Sequence, residues 1–379
     1  MKSRICEMLG IEFPLVAFSH CRNVVAEVSK AGGMGVLGAV GMTPEELDVE
    51  LAWIDKNCDG KPYGVDVLIP NKMLGKDEEG ITSAKLMEMI PQEYRDFRSD
   101  ILEENGVAAT GLRDASDQGS GMGANMRDDG AKRLLDVAFS YPIKLIANAL
   151  GVPPQWMLDM GKANNVKVAA LVGAKEHAIR QVQAGVDILV VSGTEGGGHC
   201  GSVSSMVLIP EVHQAIQPYG DTPILAAGGI VTGRQMAAAM SMGADGAWTA
   251  SVWLTTSDAE TSQPVKEKML KASSSDTVRS RSRTGKHSRQ LRSLWTDAWE
   301  NGPLDPLPMP LQTMISEPAL ALVDREAEKG NEQAKALATY WIGQGVGLLT
   351  QEKSARAVVQ EFKEDFLVAH ERLNNFLGD

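Results

Sequence analysis

The stretch AGVDILVVSGTEGGGHCG, residues 184–201, decides the reading of this chain. Its first half holds the apolar run Asp187–Ser192, short and rich in β-branched residues. A run apolar on both faces is the pattern of a strand covered on both sides, as in a parallel sheet. Its second half places glycines and one histidine just past that strand. Glycine lets backbone N–H groups come close to a ligand. In parallel α/β folds, ligands bind at the carboxyl ends of the strands.

Working outward, seven further runs share the pattern: Phe13–Ser19, Met34–Val40, Tyr63–Ile69, Ile143–Ala149, Val166–Val172, Pro223–Ala227 and Gly246–Ser251. Helical patterns alternate with them. Thr43 caps one, with Pro44 in its first turn and Glu46 at the capping-box position. Others cover Pro154–Ala163, Ala174–Ala184 and Gly233–Met242. The alternation predicts an α/β chain, and eight strands close a (β/α)8 TIM barrel. A doubly wound open sheet shows the same alternation and stays the alternative at this point.

The barrel is expected from residues 1–69 and 129–256. Residues 70–128 form an insertion after the third strand, with a helix over Gln92–Asn105 and a Gly/Ser-rich piece, Gly119–Gly123. An insertion of that length at a strand's carboxyl end suits a lid or substrate-binding element, a solvated decoration being the alternative. Residues 257–379 form a smaller C-terminal region. It holds the basic stretch Arg279–Arg292, the rigid connection Pro303–Pro310, and helices over Glu332–Trp341 and Lys353–Leu377. The basic stretch suits either ligand phosphates or plain solvent.

Composition narrows the function classes. The 379 residues carry 37 basic and 49 acidic side chains, a formal net charge of −12. That balance argues against a nucleic-acid partner. The 4 cysteines form no CxxC pair, so a disulfide framework or zinc site is not expected. Neither a signal-peptide core nor an apolar stretch of membrane-spanning length is present in the sequence. The expectation is a cytoplasmic protein with no membrane partner.

Three small-residue clusters follow strands: residues 193–201, the run AAGGI at 226–230, and Thr249–Ser251. Loops after the last two strands of a barrel commonly hold phosphate, so Gly228, Gly229, Ala250 and Ser251 are the phosphate candidates. No GxGxxG follows the first strand and no GxxxxGK[ST] occurs, so neither a Rossmann site nor a P-loop is indicated. His199, among glycines at the same mouth, is the candidate acid/base. His20 follows the first strand and should face the mouth too, in a catalytic or a structural role. No HExxH or ligand cluster indicates a metal. A phosphate-binding barrel without catalysis is the non-enzymatic alternative.

With these residues in view, residues 193–201 resemble the E-A-G-G-H-x-G signature of the nitronate monooxygenase family. Pro223–Ile230 is similar to its phosphate strand, and residues 242–251 to its G-A-D-G-V-x-x-G-T run. Thr284-Gly-Lys and the run GQGVGL at 343–348 are similar as well. The resemblance implies an FMN-binding barrel in which His199 is the base that deprotonates the substrate carbon, with His20 a second polar group. The implied cofactor-binding residues are Ala17, Phe18, Ser19, Asp66, Gly193, Glu195, Gly197, Gly198, Ala227, Gly228, Gly229, Thr249, Ala250 and Ser251. The implied activity is oxidation of alkyl nitronates by O2.

The chain departs from the family where Q-A-P-M usually follows the first strand, since VAFSHC stands at 16–21. The same His-bearing signature occurs in flavin-dependent enoyl-thioester and quinone reductases, which use NAD(P)H. The insertion and the basic stretch suit such a larger substrate, a CoA thioester for example. A homodimer is a further expectation.

Overall fold

The computed structural model describes residues 1–70, 83–112 and 125–377. Its strands, in chain order, are β1 (Leu15–Ser19), β2 (Met34–Gly38), β3 (Tyr63–Val67), β4 (Leu145–Asn148), β5 (Lys167–Val172), β6 (Ile188–Ser192), β7 (Gly198–His199), β8 (Ile224–Ala227), β9 (Gly246–Thr249), β10 (Thr277–Ser280) and β11 (Ser288–Leu291). Eight of them close a parallel barrel in the order β1-β2-β3-β4-β5-β6-β8-β9. The β1–β9 pairing, with Val16 opposite Trp248, closes the ring and removes the open-sheet alternative.

Strand alternation divides the side chains between two cores. Val16, Val36, Leu145, Ala169, Val190, Leu225 and Trp248 fill the barrel. Leu15, Leu37, Val65, Ala170, Leu189 and Ala226 face the surrounding helices. The helix Arg4–Leu9 closes the barrel's amino end with Ile5 and Leu9, and Arg4 pairs with Asp245 just before β9 at 2.8 Å. The carboxyl ends of the strands are left as the open mouth. The predicted capping box is present: Thr43 Oγ1 accepts from Glu46 N–H and Glu46 Oε2 accepts from Thr43 N–H. Such a cap contributes about 1 kcal/mol.

A second core joins the insertion to the C-terminal region. Leu86, Ile101 and Leu102 of the insertion pack with Trp295, Trp299, Ile315 and Val323. Phe97 meets Trp299 edge-on at 5.0 Å. The Gly119–Gly123 piece lies outside the described residues. The last helix, Ala355–Leu377, returns to the barrel, where Phe362 stacks on Trp253 at 6.5 Å. Gly233, opening the helix Gly233–Ser241, is what admits it, since a Cβ there would lie 2.1 Å from Phe362 O.

One helix is shorter than its sequence pattern. Glu332–Trp341 is helical only over Glu332–Leu337. Tyr340 O instead accepts from Leu291 N–H, and Trp341 bridges to Gln290. Tertiary pairing outweighs local propensity there. Another helix, Leu311–Glu328, carries Pro318 in its interior, a residue that reads as a break in sequence.

Candidate active site at the barrel mouth

His199 lies on β7, which is the edge of a small antiparallel sheet ordered β10-β11-β7. Ser288 of β11 stands opposite it. Its Nδ1 is 3.2 Å from His287 O. A carbonyl only accepts, so Nδ1 carries the proton and Nε2 keeps a free lone pair. Burial pushes its pKa below the ordinary 6.5, with the Lys286 charge adding and the His287 bond opposing. The side chain is thus a neutral imidazole able to accept a proton. Gly198 beside it has φ +74 and open space where a Cβ would point.

His20, just past β1, is built the same way. Its Nδ1 is 3.1 Å from Gly38 O. The ring is open to the mouth while protein surrounds it on most sides, and burial lowers its pKa. Phe18 meets it edge-on at 5.1 Å and stacks over Trp248 at 6.3 Å. Gly38 is required for this arrangement, because a Cβ there would lie 2.7 Å from the His20 ring.

The remaining predicted positions divide. Phe18, Asp66 and Ala227 alternate into the barrel, and Asp66 is 4% exposed. Ala17 faces the helices. Ser19 Oγ accepts from Cys21 N–H, and Thr249 Oγ1 donates to Val16 O while accepting from Trp253 Nε1–H. The Thr249 hydroxyl is thus used both as donor and as acceptor, while Ser19 keeps its O–H for a further partner. Glu195 accepts from Ser205 N–H and Oγ–H at 2.9 and 3.0 Å, and Ser205 Oγ also lies 3.2 Å from Ala227 O. Glu195 therefore ties the post-β6 loop to the end of β8.

Gly228 and Gly229 have φ +92 and +73. Consecutive residues of this kind form a concave turn that collects amide N–H groups for an anion. Other glycines enclose it. A Cβ on Gly228 would lie 2.9 Å from Gly193 N, and one on Gly343 2.6 Å from Glu195 O. Gly343 N–H donates to Ser251 Oγ at 2.9 Å, so Gly197, Ser251 and Gly343 meet at one place. These glycines let the main chain after β6, the turn after β8 and the segment at Gly343 pack against one another at the carboxyl ends of the strands.

The basic stretch resolves into separate fates. Arg281 reaches Asp305 and Pro306 O, Arg292 pairs with Asp297, and Lys286 is exposed. Arg283 is buried, forms a two-point pair with Glu317 at 2.7 and 3.1 Å, and lies 4.0 Å over Trp341. Arg279 and Arg289 stand opposite each other across β10 and β11, where they reach Cys200 O, Thr194 O and Thr277 Oγ1. Cys200 has its thiol pushed up by burial, against the pull of these two arginines, which leaves it a poor nucleophile. Sequence reasoning missed Gly38, Trp248 and Ser205. Ser205 alone left a signal, as a serine at the start of a helix after a glycine loop.

One cleft, about 480 Å³, lies beside Leu291 and Arg292, and another, about 600 Å³, is lined by Val231, Thr232 and Val252, just after the turns that end β8 and β9. Their charged linings are largely paired internally, Arg292 with Asp297 and Arg234 with Asp365. Among the described residues no helix is long and apolar enough to cross a membrane.

A family model described as nitronate monooxygenase matches residues 2–365. The chain is 50% identical over 370 residues to a Mycobacterium tuberculosis protein that carries a monooxygenase name, covering 97% of both. It is 27% identical to a Staphylococcus saprophyticus protein named as a nitronate monooxygenase, over 95% of this chain and 96% of that one. Among solved structures it is similar in fold to nitroalkane oxidase from Streptomyces ansochromogenes, with a TM-score of 0.78, 24% identity, and coverage of 97% and 99%. FabK from Thermotoga maritima is similar in fold at a TM-score of 0.71, 23% identity and 99% coverage of each chain.

Proposed function

The chain belongs to the nitronate monooxygenase family, and from that premise we propose that this flavin-dependent oxidoreductase uses FMN to oxidise alkyl nitronates with O2, His199 serving as base. The observation that carries the reading is the free Nε2 of a neutral His199, held by His287 O beside the glycine-rich turns. FMN would supply the redox chemistry when bound. Main chain at Gly228, Gly229, Ala250 and Ser251 would hold its phosphate, with Gly193, Gly197 and Gly198 giving close approach. With a neutral nitroalkane, His199 Nε2 takes the proton from the carbon bearing the nitro group and so gives the nitronate, whereas a nitronate supplied as such arrives already deprotonated there. Phe18, His20 and Asp66 face the ligand from β1 and β3. A homodimer and a cytoplasmic setting belong to the same proposal, while NAD(P)H as donor belongs to the second reading.

One observation favours a second reading. Among the described residues Arg279 and Arg289 form no ion pair beside the His199 loop, although the Glu195 charge acts on Arg289, and this suits an anionic substrate such as an enoyl-CoA thioester reduced at the expense of NAD(P)H. Anaerobic mixing of the flavin-loaded protein with propyl-2-nitronate, NADH and NADPH tests the choice. The first reading expects the flavin absorbance to respond to the nitronate and not to either nucleotide. Bleaching by a nucleotide alone would transfer the assignment to the reductase, and Arg289→Gln should then raise KM for the CoA ester. A protein that takes up no flavin would end both.

A further inference from the structure

Asp66 is a buried acid in a barrel interior filled mainly by apolar side chains. Val65 and Val67 pack with the outer helices, so the residue between them turns inward. Its register neighbours are Gly38 on β2 and Ala147 on β4, and neither has a side chain that could bond to it. Its Oδ2 is buried and has no hydrogen-bond partner among the described residues. The titratable group on the adjoining strand ends is His20, one strand beyond Gly38, and its Nδ1 is committed to Gly38 O. Among the described residues no opposite charge offsets the burial of Asp66. An ionised carboxylate in such a place is far more costly than the neutral acid, and an acid with an unused hydrogen-bonding edge at a site's floor calls for a ligand.

We propose that Asp66 stands as a neutral carboxylic acid at the floor of the mouth and donates its O–H to an acceptor oxygen or nitrogen of the ligand seated over β1–β3, making it a specificity-determining residue. The inference rests on the flavin reading above for what that ligand is. Burial alone holds the Asp66 pKa well above the carboxylate range, in agreement. A donor at this point favours ligands that present a carbonyl, nitro or ring-nitrogen acceptor. It disfavours ligands presenting an N–H or ammonium group. The acceptor belongs either to the flavin or to the substrate, and the test separates them.

The first measurement is infrared difference spectroscopy, wild type minus Asp66→Asn, on the full chain near neutral pH with and without flavin. A protonated-acid carbonyl band lost in the variant is expected. A carboxylate signature in its place overturns the proposal, whatever the enzyme's activity. The second compares Asp66→Asn, which keeps an N–H donor, with Asp66→Leu, which does not. The loss of one neutral hydrogen bond should weaken the bound partner roughly tenfold in the leucine variant, while the asparagine variant stays within about threefold. A change in flavin affinity by fluorescence titration assigns the acceptor to the flavin. A raised nitronate KM at unchanged flavin affinity assigns it to the substrate. A folded leucine variant with neither change overturns the proposal. Wild type that shows the acid band yet takes up no flavin would retire the flavin reading and leave the acid in place.

Discussion

Replacing Gly38 by alanine should displace His20 and leave the barrel closed. The new Cβ would lie 2.7 Å from Cε1 and Nδ1 of His20 and 2.9 Å from Cζ of Phe18. Carbon contacts are comfortable at about 3.5–4.0 Å, so roughly 1 Å must be found. All of the clashing atoms are at the ends of side chains that can rotate. The strain therefore falls on the His20 rotamer, which leaves Gly38 O and loses a bond worth about 1 kcal/mol. Overpacking adds about 1–3 kcal/mol. The sum is about 2–4 kcal/mol, a drop of several degrees in melting temperature for a chain of this size. Gly35→Ala is the control. Its Cβ would lie 2.3 Å from Val25 O and 2.4 Å from Val25 Cα, backbone atoms of the helix Arg22–Lys30 that cannot rotate away. That variant should lose more than about 4 kcal/mol or fail to accumulate. Denaturant melts of both, with a crystal structure of Gly38→Ala, give the answer. Equal losses in the two variants, or an unmoved His20 ring in Gly38→Ala, would refute the reasoning.

Further predictions follow from the same geometry. His20 and His199 both have pKa values pushed below the ordinary 6.5 by burial. The unfolded chain then binds more protons than the folded one as pH falls through that value. Stability should be full above about pH 6.5 and fall below it, and His20→Asn or His199→Asn should flatten that fall in melts at pH 5 and 7. For the same reason the basic form of His199 persists in mild acid, so kcat/KM should stay flat down to about pH 6.5 and decline only below it. Glu317→Gln leaves the buried Arg283 charge without its carboxylate. The cost should be about 3 kcal/mol, the low end for a broken buried pair because Glu317 reaches solvent, read by urea denaturation.

Much of the architecture was legible because the eight barrel runs are mostly apolar on both faces and most are followed by glycine or a helix cap. Strand starts differ by a residue or two where proline intervenes, as at Pro14 ahead of Leu15, since proline cannot donate to the ladder. His199 was legible as a residue at the mouth, but its support was not. The carbonyl that sets its tautomer belongs to His287, 88 positions on, through strands of two to four residues. Pairing that short and that distant leaves no periodic signal. The basic stretch looked uniform for a similar reason. Only tertiary contact with Asp305, Glu317 and Asp297 separates Arg281, Arg283 and Arg292 from Arg279 and Arg289. Gly38 carried no mark of its own, because its role is the space it leaves for the His20 ring.

The central claim is that His199 is the base of a nitronate-oxidising flavoenzyme. Oxygen consumption with a neutral nitroalkane such as 2-nitropropane, which still carries the proton, measured for wild type and His199→Asn at equal flavin content, tests it most directly. The account predicts turnover by the wild type and a loss of about 10²–10⁴-fold in the variant with flavin still bound. Equal turnover in both proteins would contradict it.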